Sequence, residues 1–218
     1  MTSEVQRVRS QQNLGNSRRR QRGVTLLELI VVAAIGIVVT AIAVPNIMTV
    51  IYNIRLRSSA DAIAGVLQQA RILAVKNNAY YVVCNPKFLT CSGGTPNNTV
   101  FVDVNGNGVW DKGEPMAQLS GNVVIATTGA PPVATMQLNF APQSANKPPI
   151  FNARGLPCGI NGGTCVNVNI DPRSPTVYSY RLYLTDSRGF GKNGWAAVTI
   201  SPAGRVQTWL WSGSAWGT

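Results

Sequence analysis

The chain has 218 residues, 12% of them charged, and a formal net charge of +11; that length suits one globular domain plus an accessory segment. It contains no histidine, which excludes His-ligated zinc sites, Ser-His-Asp triads and Cys-His dyads together. Residues 1–23 hold six arginines against Glu4, so five of the eleven net charges sit in the first tenth of the sequence. The remaining positive balance fits either a slightly basic soluble surface or a partner that is a polyanion or anionic lipid.

The first element in chain order is an apolar helix. From Leu29 to Ile54 there is no charged residue, a run long enough as a helix to span a bilayer core of about 30 Å. The RRRQRG flank at 18–23 predicts that the N-terminal end stays in the cytoplasm, which places the bulk of the protein outside it. A secretory signal peptide would have a shorter apolar core ending in a small-residue cleavage site. Here Ala41-Ile42-Ala43 runs on into Val44-Pro45 and further apolar residues. Neither that reading nor a plain single-span anchor explains Glu28, because a carboxylate in an apolar helix is costly unless it finds a cation. Cleavage between Gly23 and Val24 would create an α-amine four residues before Glu28, on the same helix face, or would offer that amine to a neighbouring subunit.

Gly23 followed by Val24-Thr25-Leu26-Leu27-Glu28 resembles the class III signal of type IV prepilins and pseudopilins. The resemblance spans residues 18 to about 52. It implies a prepilin peptidase that cuts after Gly23 and N-methylates Val24, which stands where the family usually has Phe or Met. It also implies that Glu28 guides docking among pilin subunits and that Pro45 is the family's helix-breaking proline. The expected location is the inner membrane, single-pass, with the C-terminal domain in the periplasm and on a filament or the cell surface after assembly.

After Tyr52 the pattern becomes amphipathic. Leu56, Ala60, Ile63, Leu67, Ala70 and Ala74 recur at steps of four and three, while Arg55, Arg57, Asp61, Gln68, Gln69 and Lys76 fall largely off that stripe. The helix is expected to end near Asn77-Asn78 and to pack its stripe on a sheet. Gly36 and Pro45 weaken its membrane half, so local bending or melting is expected there.

From Ala79 the texture is β. Runs at 80–84, 99–104, 122–127, 166–170, 178–185, 196–201 and 205–211 are rich in β-branched and aromatic residues and are separated by Gly, Pro and Asn. The fold class is therefore α+β, a long N-terminal helix packed on antiparallel β-sheet. The expected division is a leader at 1–23, a membrane and assembly half of the helix at 24–52, an amphipathic half at 53–78, and a β-rich globular domain at 79–218.

Four cysteines form two similarly spaced pairs, Cys84 with Cys91 and Cys158 with Cys165. Two local disulfides are the simplest reading in an extracytoplasmic domain, with the two other connectivities still open. A four-thiolate zinc site would show closer spacing. Between the pairs, DVNGNGVWDKGE at 103–114 fills every position of D-x-[DN]-x-[DN]-G-x₅-E. In that pattern Asp103, Asn105, Asn107, Asp111 and Glu114 supply side-chain oxygens and Val109 a carbonyl, a hard donor set suited to one structural Ca²⁺. The same Asn-Gly-Asn-Gly stretch is also a strong turn that needs no ion, and no helices flank it.

FNARGLP at 151–157 and VTISPAGRVQ at 198–207 look like the FimT/GspH-like branch of minor pilins and pseudopilins, whose final hairpin carries S-x-x-G-R, here Ser201, Gly204 and Arg205. Some competence members of that branch bind DNA through G-R-x-R; Gln207 stands at the second arginine's place. Arg181, Arg188, Lys192 and Arg205, with Trp195, Trp209, Trp211 and Trp216 nearby in sequence, would suit non-specific DNA binding. The competing reading of the tryptophans is a core or an interface with another pilin. Asn97-Asn98-Thr99 is a glycan acceptor by pattern. No catalytic constellation assembles from these residues. The leading expectation is a minor pilin or pseudopilin subunit of a type IV pilus or type II secretion pseudopilus. A pilus-associated DNA receptor for natural transformation is the alternative.

Overall fold

The computed structural model describes residues 23–88, 90–91, 98–136, 138–143, 145–161, 163–169, 176–186 and 194–218, without the side chains of 45, 46, 135, 169 and 176. The leader arginines, Asn97, Arg188 and Lys192 lie outside these residues. The protein divides into two compact units, Met1–Pro45 and Asn46–Thr218.

Helix α1 is Leu26–Asn77, and it is helical through Gly36 and Pro45 without a break. Thr25 caps its start: Oγ1 accepts from the Glu28 N–H at 3.2 Å, and the Thr25 carbonyl accepts the first helical bond from Leu29. Thr25-x-x-Glu28 is thus the capping-box spacing, with the acid in the first turn where the helix dipole favours it. In the first unit every residue from 23 to 42 is exposed. The apolar part of α1 is long and apolar enough to cross a membrane. Thr40 Oγ1 bonds back to the Gly36 and Ile37 carbonyls at 2.9 and 3.0 Å.

In the second unit, α1 ends in a Schellman motif. Asn78 takes φ +49°, its N–H bonds the Val75 carbonyl, and the Ala79 N–H bonds the Ala74 carbonyl. The strands follow in order: β1 Tyr81–Cys84, β2 Thr99–Asp103, β3 Met116–Gln118, β4 Val123–Ala126, β5 Ile150–Phe151, β6 Gly159–Asn161, β7 Thr164–Val166, β8 Val168–Asn169, β9 Thr176–Val177, β10 Tyr180–Asp186, β11 Trp195–Ile200, β12 Val206–Trp211 and β13 Trp216–Gly217. They form a four-stranded sheet ordered β3-β2-β1-β5, a five-stranded sheet ordered β13-β12-β11-β10-β4, and two small hairpins, β6-β7 and β8-β9. All of these strand pairings are antiparallel.

The stripe Leu56, Ala60, Ile63, Leu67, Ala70 and Ala74 is buried and forms one apolar cluster with residues of both larger sheets. Burying each of its larger aliphatic side chains contributes about 1.5–3 kcal/mol. Strands β10 and β11 alternate between two cores, because successive side chains leave a strand on opposite faces. Leu182, Leu184, Ala196, Val198 and Ile200 join the helix cluster. Tyr183 and Ala197 face a second cluster with Met136, Ala145 and Trp216.

Candidate functional site

Four places in the sequence suggest function, and the structure gives each a different character. At the helix start, Val24 and Glu28 are both exposed, and Thr25 fixes the first turn beside them. Pro45 lies within α1, and its side chain is outside the described residues.

The cysteines pair locally, Cys84 with Cys91 and Cys158 with Cys165, and no described cysteine is free. The second pair ties strand β7 to the residue before β6. Tyr180, whose hydroxyl donates to the Cys158 carbonyl, is buried beside it. Burial drives the Tyr180 phenol well above its ordinary pKa, with a smaller push from Tyr178. Gly159 stands against the Tyr178 ring so closely that a Cβ there would fall 2.1 Å from a ring atom.

The loop from Asp103 to Glu114 is a closed hydrogen-bonded turn. Asp103 is buried, and its carboxylate accepts from the N–H groups of Gly106 and Asn107 through Oδ1 and of Gly108 through Oδ2. Asn105 and Asn107 each donate Nδ2–H to Asp111 Oδ2, at 2.6 and 2.7 Å. Their Oδ1 atoms accept from the N–H groups of Asn107 and Val109. Glu114 accepts from the N–H groups of Val104 and Asp111. The third, fifth and ninth loop positions therefore meet at one point. Among the described residues no group of three Asp, Glu, Cys or His stands together as a metal site. The donor set here is mixed carboxylate and amide oxygen; Asp103 Oδ1 and Asp111 Oδ2 already accept two bonds each, and lone pairs remain on Asp103 Oδ2, Asp111 Oδ1 and the two Asn Oδ1 atoms. That chemistry fits a hard cation such as Ca²⁺.

Of the four basic residues singled out, Arg181 and Arg205 lie among the described residues, and each has its own surroundings. Arg181 sits in β10 with its guanidinium carbon 5.8 Å from the Tyr183 ring centroid and its Nε buried. Burial raises the Tyr183 pKa, and the Arg181 charge opposes that rise. Trp195, Trp209, Trp211 and Trp216 belong to the second apolar cluster, where Trp216 stacks on Tyr183 and Trp209 Nε1 donates to Thr199 at 2.9 Å. Trp216 is buried in this cluster, and Trp195, Trp209 and Trp211 are half-buried against it.

Arg205 has different companions, which sequence spacing alone does not reveal. Asn152–Leu156 and Ser201–Arg205 are two turns of the same design. In each, the fourth residue is a glycine with positive φ whose N–H bonds the first residue's carbonyl. The first residue's side-chain oxygen accepts from the fifth residue's N–H, at 3.1 Å in both turns. The two glycines meet: a Cβ on Gly204 would lie 2.7 Å from the Gly155 carbonyl oxygen. Arg71 of α1 closes the corner, with Nη1 donating to the Gly204 carbonyl at 3.2 Å and Nε lying 3.0 Å from where a Gly155 Cβ would be. Exposed Arg154 and Arg205 flank the two glycines, so three arginines share one corner. The only foretelling signal is the repeated x-x-x-Gly pattern in FNARGLP and TISPAGR.

Residues 18–44 match the prokaryotic N-terminal methylation motif. No curated protein matches the sequence. Among solved structures, the protein is similar to the type IV minor pilin FimU of Pseudomonas aeruginosa in two crystal forms. They share 17% and 18% identity with it over 75% of its length and 92% and 98% of FimU, each with a TM-score of 0.42. It is also similar to the minor pseudopilin EpsH of the Vibrio cholerae type 2 secretion system, at 11% identity over 72% of its length and 97% of EpsH, with a TM-score of 0.39. Residues 59–204 match the model of the type II transport protein GspH, well over half of the sequence, and the protein belongs to that family.

Proposed function

We propose that this protein is a minor subunit of a type IV pilus or type II secretion pseudopilus, and that its role is assembly rather than catalysis. The observation that carries the reading is the pairing of a GspH-family globular part with a methylation-motif start, where Glu28 sits in the first turn of an exposed apolar helix. A prepilin peptidase removes the leader after Gly23 and exposes the Val24 amine. The apolar half of α1 holds the subunit in the inner membrane with the second unit in the periplasm. On extraction into a filament, Glu28 pairs with the amine of this or a neighbouring subunit, which offsets the cost of the acid in an apolar bundle. Glu28→Ala should leave leader cleavage intact and depress incorporation into sheared filaments; incorporation at the wild-type level would sink this reading.

A second reading, a pilus-associated DNA receptor, has one observation in its favour: the cationic corner of Arg71, Arg154 and Arg205. Shift of a DNA fragment by the full-length protein, lost in Arg205→Ala and with added salt, would support it; no shift at low salt would end it. We also propose that the Asp103–Glu114 loop takes one structural Ca²⁺, supported by the complete ligand pattern in the sequence; binding would turn the Asn105 and Asn107 amides so that oxygen replaces the Nδ2–H now facing Asp111.

A further inference from the structure

We infer that the Asp103 carboxylate protects two adjacent Asn-Gly bonds, Asn105-Gly106 and Asn107-Gly108, from deamidation. An Asn-Gly step is the most labile amide pairing in a polypeptide because glycine leaves its own nitrogen unhindered. In the reaction the glycine nitrogen attacks the preceding Asn Cγ, an N–C bond forms, and the bond from Cγ to the amide nitrogen Nδ2 breaks. The glycine proton leaves with the departing ammonia. Water then opens the succinimide to aspartate or isoaspartate, so the only co-reactant is solvent water.

The folded loop blocks both partners of that reaction. The two attacking nitrogens are held by one buried group: Gly106 N donates to Asp103 Oδ1 at 2.7 Å, and Gly108 N donates to Asp103 Oδ2 at 2.8 Å. The two amides under attack are held at both ends. Asn105 lies between Asp111 Oδ2 and the Asn107 N–H, and Asn107 between Asp111 Oδ2 and the Val109 N–H. To react, a glycine N–H must leave a charge-assisted bond and its Asn must break two more. Positive φ at Gly106 and Gly108 fixes the backbone in this arrangement.

The protection is also all-or-none. An acid formed at position 105 or 107 would face Asp111 Oδ2 at the 2.6 or 2.7 Å now spanned by an amide hydrogen bond. Like charges at that distance repel, the loop opens, and the second pair loses its restraint. The turn is a latent modification site: the amides persist while the loop stays closed, and conversion of one promotes the other.

The test uses the full-length protein purified in detergent with chelator present, incubated at mildly alkaline pH, with acid and isoaspartate products quantified at each Asn by peptide mass spectrometry. The Asn-Gly pairs at 161–162 and 193–194 lie outside this loop and serve as internal references. Asn105 and Asn107 should convert at least about tenfold more slowly in the folded protein than in denaturant, the factor one hydrogen bond to a charged group supports. Asp103→Asn should recover most of that difference at 105 and 107 and leave the reference pairs unchanged. If Asp103→Asn accelerates the references too, it has unfolded, and Asp111→Ala then decides: it removes the oxygen that accepts from both amides and should accelerate 105 and 107 alone. Equal rates at 105 and 107 in folded and unfolded wild-type protein would overturn the proposal. So would a folded Asp103→Asn with wild-type rates, or an Asp111→Ala that leaves 105 and 107 at wild-type rates.

Discussion

Arg71 and Gly204, 133 residues apart, are joined by a 3.2 Å bond from the Arg71 guanidinium to the Gly204 carbonyl, with Gly155 packed between them. One helix residue thereby locks two hairpin turns against α1. Arg71→Met keeps much of the aliphatic packing and removes the donor; it should destabilise the globular unit by about 1–2 kcal/mol in denaturant titration. Arg71→Lys should not rescue it, since an ammonium cannot span both turns as the planar fork does.

Gly204 of that corner and Gly163 of the turn between β6 and β7 give a sharper comparison. Gly204 has φ +78°, and a Cβ would press to 2.7 Å on a backbone oxygen that cannot rotate away. Gly163 has φ +80° and open space around its missing Cβ. Gly163→Ala should cost only the backbone term of about 1 kcal/mol, whereas Gly204→Ala should cost about 2–4 kcal/mol. Equal losses in melting temperature would show that the contact with Gly155 contributes nothing.

Alkaline pH should act through Tyr180. Burial favours the neutral phenol, so the folded protein holds this proton more tightly than the unfolded protein does. The resulting stability is complete below the ordinary tyrosine pKa of about 10 and is lost as pH rises beyond it. Wild-type protein should therefore lose melting temperature steeply above pH 10, and Tyr180→Phe should lose it less steeply. At neutral pH the same variant should be less stable by about 1 kcal/mol, because the Cys158 carbonyl loses its partner.

Much of this architecture is legible in the residues because it is local or periodic. Leu56 to Ala74 recurs at helical spacing, and the runs that become β10, β11 and β12 are long enough to show β texture. The strands β3, β5 and β13 are two or three residues long and exist only because a neighbour offers a ladder. The division of β10 between two cores is equally hidden: Tyr180, Leu182 and Leu184 mark one apolar face, but Arg181 and Thr185 flank Tyr183 on the other, which therefore reads as a solvent face rather than a second core. Arg71 reads as one more residue off the helical stripe, and only folding brings Gly155 and Gly204 to it. The packing of the tryptophans is hidden for the related reason that proximity in sequence says nothing about which side of a sheet is covered. Thr25 is legible as the first residue of T-x-x-E, but the oddity of an acid in an apolar run draws attention to Glu28 alone.

Calcium supplies the last prediction. Asp103, Asn107 and Glu114 already hold six N–H groups of the loop without an ion, so Ca²⁺ should add to stability by mass action rather than create the fold. Moving the full-length protein from chelator to Ca²⁺ at one hundred times its Kd should stabilise it by about 2.7 kcal/mol. For a site of extracellular type, that Kd lies on the order of 0.1–1 mM. Mg²⁺ at the same concentration should give far less, because it demands a short, near-ideal octahedral shell and dehydrates reluctantly, whereas Ca²⁺ accepts a larger and more flexible oxygen shell. Glu114→Gln removes the closing carboxylate yet keeps an oxygen for the Val104 or Asp111 N–H, so it should abolish the Ca²⁺ response with a smaller effect in chelator. A melting temperature indifferent to Ca²⁺ in the wild-type protein leaves the loop as a turn closed by Asp103, Asp111 and Glu114 alone.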